Sequence, residues 1–168
     1  MDCIYKLCIS FKIIQKKNKD IVWNGLNCLH NSASRVGALD LKFYSKKNNF
    51  DLDRLYHLSN KKKLDFIYLL GVDQIDIKKL INSFIIYQGT HGDFGAEHAD
   101  VILPGSAYSE KNATYINTEG RLQTTFKACN PPGLAKEDWK IIVAIGKKLK
   151  KKFDYYDIYD VRKRLIKE

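Results

Sequence analysis

Two mainly apolar runs, residues 64–70 and 84–87, constrain the fold of this chain most strongly. Each run has the length of a strand, and the segment between them predicts a short helix over residues 76–81. Strands that are apolar on both faces are typical of parallel sheets, which are covered on both sides. The pattern therefore predicts an α/β fold with a partial doubly wound, mostly parallel sheet and flanking helices.

The rest of the chain predicts further elements around this sheet. Strict alternation over residues 3–13 predicts a half-buried strand, and Asp20 is a candidate cap for a helix over residues 20–38. Residues 42–50 are expected to form a loop. Helical patterns cover residues 51–58, 136–150 and 157–168, and a β-hairpin over residues 113–126 turns near Glu119 and Gly120. We expect residues 1–168 to form one domain.

Composition narrows the function classes. The chain has 168 residues, 45% of them hydrophobic, which is enough for one core, and no apolar run approaches the ~20 residues that span a bilayer. Only five of the 29 basic residues are Arg, whereas nucleic-acid readers favour Arg, and no aromatic–basic RNA motif is present. The formal charge of +10 keeps a basic RNA-binding protein as an alternative, although abundant Lys, Ile and Asn favour an AT-rich gene. The N-terminal residues show neither a secretory nor a transit-peptide pattern.

The cysteine spacing gives no metal-binding signature. The four cysteines are Cys3, Cys8, Cys28 and Cys129, and none forms a C-x2-C pair. Zinc and iron–sulfur sites normally need such pairs, so we expect free, reduced cysteines.

A glycine-punctuated loop follows the run that ends at Tyr87. Gly89, Gly92 and Gly95 let backbone approach another group closely, and ligands of α/β sheets bind where strands end. The spacing matches neither the dinucleotide fingerprint nor a P-loop. We therefore expect the glycines to serve close packing between segments rather than phosphate binding.

The same region contains a cluster of possible metal ligands: His91, Asp93, Glu97, His98 and Asp100. In a regular helix, His91 and His98 would share a face, but the three glycines argue against such a helix. We expect these side chains to make caps and loop hydrogen bonds.

The predicted hairpin carries Asn117, Glu119 and Arg121 in alternation, which places them on one face. A buried Glu119–Arg121 pair would tie the hairpin to its neighbours.

The motifs of residues 65–149, taken in order, resemble the C-terminal part of the large iron–sulfur subunit family of respiratory complex I. The motifs are FIYLLG (66–71), IIYQG (85–89), HGD (91–93), ADVILPG (99–105), EK (110–111), ATY (113–115), NTEGR (117–121) and PPGLAKEDWK (131–140). Residues 23–41 fit the same family more loosely. The wider family is that of the molybdopterin oxidoreductases, which share the ADVxLP and NxEGR patterns. The matching structural-motif positions are Gly89, His91, Gly92, Asp93, Asp100, Pro104, Asn117, Glu119, Gly120 and Arg121.

The resemblance implies a structural, non-catalytic fragment of the peripheral arm of NADH:ubiquinone oxidoreductase. No counterpart of the segment that ligates the metal in the wider family is present, so we expect no catalytic, cofactor-binding or metal-binding residue in this chain. Iron–sulfur clusters and FMN would lie in partner subunits. The alternative is half of a working molybdopterin oxidoreductase.

The family's cysteine-rich, ferredoxin-like segments are also missing from this sequence. We therefore expect a partner chain that carries the N-terminal iron–sulfur half, encoded by a split gene, to complete the sheet. Other peripheral-arm subunits would be further partners, and neither nucleic acid nor a direct membrane span is expected. The expected location is the matrix side of the mitochondrial inner-membrane complex, or the cytoplasmic face of a bacterial inner membrane.

Overall fold

The computed structural model describes residues 16–18, 21–23, 29–30, 32–33, 35–44, 51–72, 74–80 and 82–167. The strand expected over residues 3–13 and the cysteines at positions 3, 8 and 28 lie outside these ranges. Most of the expected loop at residues 42–50 also lies outside them.

The helix expected over residues 20–38 is wrong at its start. Strands β1 (Lys16–Asn18) and β2 (Ile21–Trp23) form an antiparallel pair there, and the first described helix, α1, covers only Arg35–Asp40. The run Ile21-Val22-Trp23 is β-branched and aromatic, and such residues favour extended backbone over helix.

A parallel three-stranded sheet forms the centre of the described chain and confirms the α/β prediction. Strands β3 (Phe66–Leu70), β4 (Phe84–Gly89) and β5 (Val101–Pro104) lie side by side in that order. The register places Phe66 beside Phe84 and Ile86 beside Val101, so β4 is the middle strand. All three strands therefore end at one edge, where side chains from separate loops meet.

One face of this sheet holds the main core. Helix α2 (Leu52–Asn60), a 3-10 turn at Ile77–Leu80 and helix α3 (Phe94–His98) accompany this face. Asp51 caps α2, because its side chain accepts a hydrogen bond from Arg54 N at 2.9 Å. The buried residues of this core are Ile67, Leu69, Ile77, Leu80, Ile85 and Tyr87.

The C-terminal part of the chain adds the expected hairpin and two helices. Strands β6 (Ala113–Ile116) and β7 (Leu122–Thr125) pair antiparallel, and helices α4 (Asp138–Lys148) and α5 (Ile158–Lys167) follow. Arg162 fastens α5 to the hairpin by donating to Thr114 Oγ1 at 3.1 Å and to Ala113 O at 3.2 Å. Within the described ranges, no helix is long and apolar enough to cross a bilayer.

The second face of the sheet is only partly covered. At its amino end the neighbouring rings of Phe66 and Phe84 are 63% and 47% exposed. At its carboxyl end Gln88 is only 1% exposed. The face is therefore covered at Gln88 and open at the amino end of the strands.

Candidate functional site

The carboxyl end of β4 positions the residues that the sequence singled out. Tyr87 and Gln88 are consecutive in the strand, so their side chains leave on opposite faces of the sheet. Both are almost fully buried, at 2% and 1% exposure. Each makes a hydrogen bond to a carboxylate from a different element.

Tyr87 is surrounded by two glycines of the loop. Its hydroxyl donates to Asp93 Oδ2 at 2.5 Å. A Cβ at Gly95 would stand 2.6 Å from a carbon of the Tyr87 ring, and one at Gly89 would overlap its phenol oxygen. A Cβ at Gly92 would meet nothing within 4 Å. The tyrosine ring therefore requires Gly89 and Gly95 to lack a side chain, which confirms the expected packing role for these two glycines but not for Gly92.

Asp93 joins this ring to helix α3. Its Oδ1 accepts a hydrogen bond from Ala96 N at 3.1 Å, which makes Asp93 the N-cap of the helix. Partial burial pushes the pKa of Asp93 upward, but the Tyr87 hydroxyl and the backbone N–H groups of Ala96 and Gly95 outweigh it and hold that pKa below its ordinary value. We expected the three glycines to prevent a helix here, and helix α3 corrects that expectation. The Asp93 cap and the contact with the buried Tyr87 ring stabilise the helix although it contains Gly95.

Gln88 organises a second network on the opposite face. Its Nε2 donates to Asp138 Oδ1 at 2.7 Å, and its Oε1 accepts a hydrogen bond from the Tyr68 hydroxyl. Asp138 Oδ2 in turn accepts from Lys111 Nζ at 2.5 Å. The network joins β3, β4, the start of α4 and the segment before β6. A Cβ at Gly105 would lie 3.1 Å from Asp138 Oδ1, so this glycine gives the carboxylate its space.

The charge of Asp138 also acts on Tyr68. Burial, and then the negative charge of Asp138, raise the pKa of the Tyr68 hydroxyl above its ordinary value. A phenol is protonated at neutral pH in any case, and the raised pKa keeps Tyr68 a donor to Gln88 further into the alkaline range. The sequence placed Gln88, Lys111 and Asp138 in the family motifs, and Asp138 at the start of a helix, but predicted no contact between them. The available signal was Gln88 itself, a polar residue that directly continues an apolar strand.

The possible metal ligands do not converge. His91 is exposed and bonds through Nδ1 to Thr90 Oγ1 at 2.8 Å, while His98 Nδ1 lies 3.1 Å from Phe94 O. Asp100 Oδ2 accepts from Ile85 N at 2.6 Å. In the part of the chain that the structure describes, no three His, Cys, Asp or Glu side chains are grouped to hold a metal. The expected caps and loop hydrogen bonds are confirmed. Cys129 is exposed and free, as expected.

The hairpin turn is held by Asn117 rather than by an ion pair. Asn117 Oδ1 accepts from Glu119 N at 3.0 Å and from Arg121 N at 2.8 Å, and Gly120 takes a left-handed φ of 82°. The side chains of Glu119 and Arg121 are exposed in this structure, so the buried pair is wrong. The turn needs no pair because the asparagine carboxamide already satisfies its backbone donors.

Pro104 ends the edge strand and fixes the next segment to it. Its carbonyl accepts a hydrogen bond from Lys136 N at 3.1 Å, and Lys136 O accepts one from Ser106 N at 2.9 Å. This short parallel bridge holds the segment before α4 against β5, which places Asp138 at Gln88.

Comparison with known proteins gives a consistent family assignment. The chain is 53% identical over 167 residues to the mitochondrial NADH-ubiquinone oxidoreductase 78 kDa subunit of Candida albicans, covering 98% of this chain and 21% of that protein. It is 52% identical over 157 residues to the NADH-ubiquinone oxidoreductase 75 kDa subunit of Reclinomonas americana, covering 93% of this chain and 22% of the relative. It is 41% identical over 168 residues to an NADH-quinone oxidoreductase subunit of Rickettsia conorii, covering all of this chain and 22% of the relative.

These relatives are much longer proteins, and the chain spans about a fifth of their length. A family model described as molybdopterin oxidoreductase matches residues 2–148, which is most of the sequence. The match includes the central sheet, both carboxylate networks and the hairpin. The chain therefore belongs to the molybdopterin oxidoreductase family.

Proposed function

We propose that this chain is a structural, non-catalytic part of the peripheral arm of NADH:ubiquinone oxidoreductase, supporting electron transfer from NADH to ubiquinone. The observation that carries the proposal is that polar residues where the strands end are used in hydrogen bonds within the chain. Asp93, Asp138 and Gln88 are each engaged in hydrogen bonds that join elements of the fold. Such groups position the chain, whereas a catalytic site needs groups directed at a substrate.

The cofactor of the wider family finds no cradle among the described residues of this edge. The space beside Gly89 and Gly95 is filled by the Tyr87 ring, and both oxygens of Asp93 already accept hydrogen bonds. Ser106 Oγ is buried and unpaired among the described residues, but one hydroxyl does not make a pterin site. This supports a chain without a cofactor of its own, with iron–sulfur clusters and FMN in the partner subunits.

The partner surface is best supported at the open end of the sheet. Parallel sheets normally carry cover on both faces, yet the rings of Phe66 and Phe84 remain exposed here. The relatives have about four-fifths of their length outside the matched region, enough to supply that cover. We propose that this remainder, which would carry the iron–sulfur part of the subunit, completes the sheet together with other peripheral-arm subunits. That it is a separate polypeptide stays a prediction.

The proposed location is the matrix side of the mitochondrial inner-membrane complex. The Candida albicans relative is named as a mitochondrial subunit, whereas the Rickettsia conorii relative comes from a bacterium. The cytoplasmic face of a bacterial inner membrane is therefore the alternative.

Native gel electrophoresis of the assembly, followed by mass spectrometry and metal analysis of the band, tests this function. The expected result is co-migration with iron–sulfur and flavin subunits, with iron present and no stoichiometric molybdenum or tungsten. Stoichiometric molybdenum or tungsten would instead require a working molybdopterin enzyme. A folded monomer with cooperative unfolding and no partner would refute the pairing.

A further inference from the structure

An apolar groove lies between the end of β5 and helix α4. Its volume is about 500 Å³. Three of the large apolar side chains that line it are exposed or half-buried: Leu134 is 82% exposed, Leu149 is 67% exposed and Leu103 is half-buried. Ile141, on the inner side of α4, also lines the groove and is 8% exposed. Leu134 and Leu149 leave apolar area exposed beside this concave surface, and a docked segment would cover it.

The walls of the groove are fixed by hydrogen bonds. Lys136 is held to β5 through its own N–H and carbonyl, which bond Pro104 O and Ser106 N. At the other end, Lys151 N donates to Gly146 O at 2.8 Å and Lys150 takes a left-handed φ of 56°, so the chain turns sharply after α4. The groove therefore exists before anything binds, which lowers the ordering cost of binding.

Two lysines line the groove beside its apolar floor. The side chains of Lys136 and Lys148 are exposed, and neither forms an ion pair with any carboxylate in the described ranges. By contrast, Lys140 on the same helix is paired with Glu137 at 2.9 Å. The groove thus combines an apolar floor with two unpaired positive charges.

We propose that this groove binds an acidic amphipathic segment of protein that lies outside these 168 residues. Apolar side chains spaced as on one helix face would fill the floor, and flanking carboxylates would pair with Lys136 and Lys148. An anionic membrane surface shares the charge but not the shape, because a flat bilayer does not fill a groove between a helix and a strand. The proposal does not depend on which complex the chain joins.

Photo-crosslinking in the assembled protein tests the groove directly. The change is Leu134→p-benzoylphenylalanine, an exposed position that should not disturb folding, and the control is Tyr108→p-benzoylphenylalanine, 79% exposed and outside the groove. Mass spectrometry of the Leu134 adduct should identify a segment with helically spaced apolar residues and flanking carboxylates. The Tyr108 adduct should not contain that segment.

Charge reversal then tests the lysines. The double variant Lys136→Glu/Lys148→Glu should lower the yield of the Leu134 adduct about tenfold, while Lys136→Arg/Lys148→Arg preserves it. The double variant Lys147→Glu/Lys151→Glu makes the same charge change outside the groove and should have little effect.

Several results would overturn the proposal. These are an adduct with lipid, with a second copy of this chain or with a segment lacking carboxylates, no adduct at all, or equal losses from both charge-reversal variants. An acidic segment from an assembly without iron–sulfur and flavin subunits would refute the proposed function but leave the groove proposal standing.

Discussion

The two sides of strand β4 use the same device, a buried polar side chain bonded to a carboxylate, over very different sequence distances. Tyr87 reaches Asp93, six residues away, within its own loop. Gln88 reaches Asp138, 50 residues away, and through it Lys111. The first contact shapes a local turn, whereas the second fastens separate elements. One strand end therefore both shapes its own loop and joins distant segments of the chain.

Breaking the contact between Gln88 and Asp138 should lower the stability of the chain most. Asp138→Ala leaves Gln88 Nε2 and the partly buried Lys111 ammonium without their acceptor, which should cost roughly 3 kcal/mol of local stability. Hydrogen–deuterium exchange of the assembled protein should show lost protection in both β4 and α4. Lys79→Ala removes an exposed ion pair with Asp76 and should cost less than about 1 kcal/mol. Equal effects of the two variants would contradict the role of Asp138.

Substituting the glycines around Tyr87 should give the next largest loss of stability. Gly95→Ala places a Cβ against the buried Tyr87 ring and should cost about 2 kcal/mol. Gly92→Ala in the same loop meets nothing within 4 Å and should change stability by no more than about 0.5 kcal/mol. Exchange protection of α3 peptides measures both. A Gly92 variant as damaging as the Gly95 variant would show that the loop serves something other than the tyrosine.

Removing the hydroxyl of Tyr87 or of Tyr68 should cost less stability, and each loss should appear in different elements. Tyr87→Phe removes the bond to Asp93 and should cost about 1 kcal/mol, with the lost protection confined to α3. Tyr68→Phe removes the bond to Gln88, and its loss should appear in β3 and β4 instead. Exchange measured peptide by peptide distinguishes the two patterns. If both variants weaken the same peptides, the two sides of β4 are not independent.

The smallest effect is a pH dependence of helix α3, which Asp93 caps. Because the pKa of Asp93 is lower in the folded chain than in the unfolded chain, its contribution to stability is present above the ordinary value of 3.8. That contribution is lost as the pH falls below 3.8 and through the depressed pKa. Protection of α3 should therefore decline below about pH 4 in the native chain and show no such Asp93-dependent step in Asp93→Asn. The same decline in the variant would assign it to another group.

The sequence pattern predicts the strands and the glycine packing around Tyr87, but not the long-range contact of Gln88. The apolar runs predicted β3 and β4, and the glycine spacing correctly indicated packing, because both signals lie within a short window. The contact between Gln88 and Asp138 depends on the fold that brings α4 to the sheet, and no periodicity records it. The buried Glu119–Arg121 pair failed for a related reason: alternation places residues on one face but does not say which face is covered.

We expect the polar residues at the end of β4 to hold the architecture and not to perform chemistry. NADH:ubiquinone oxidoreductase turnover per assembled complex, measured for Asp93→Asn beside the amount of assembled complex, tests it most directly. We predict less assembled complex with unchanged turnover per complex. Lower turnover with full assembly would contradict the account.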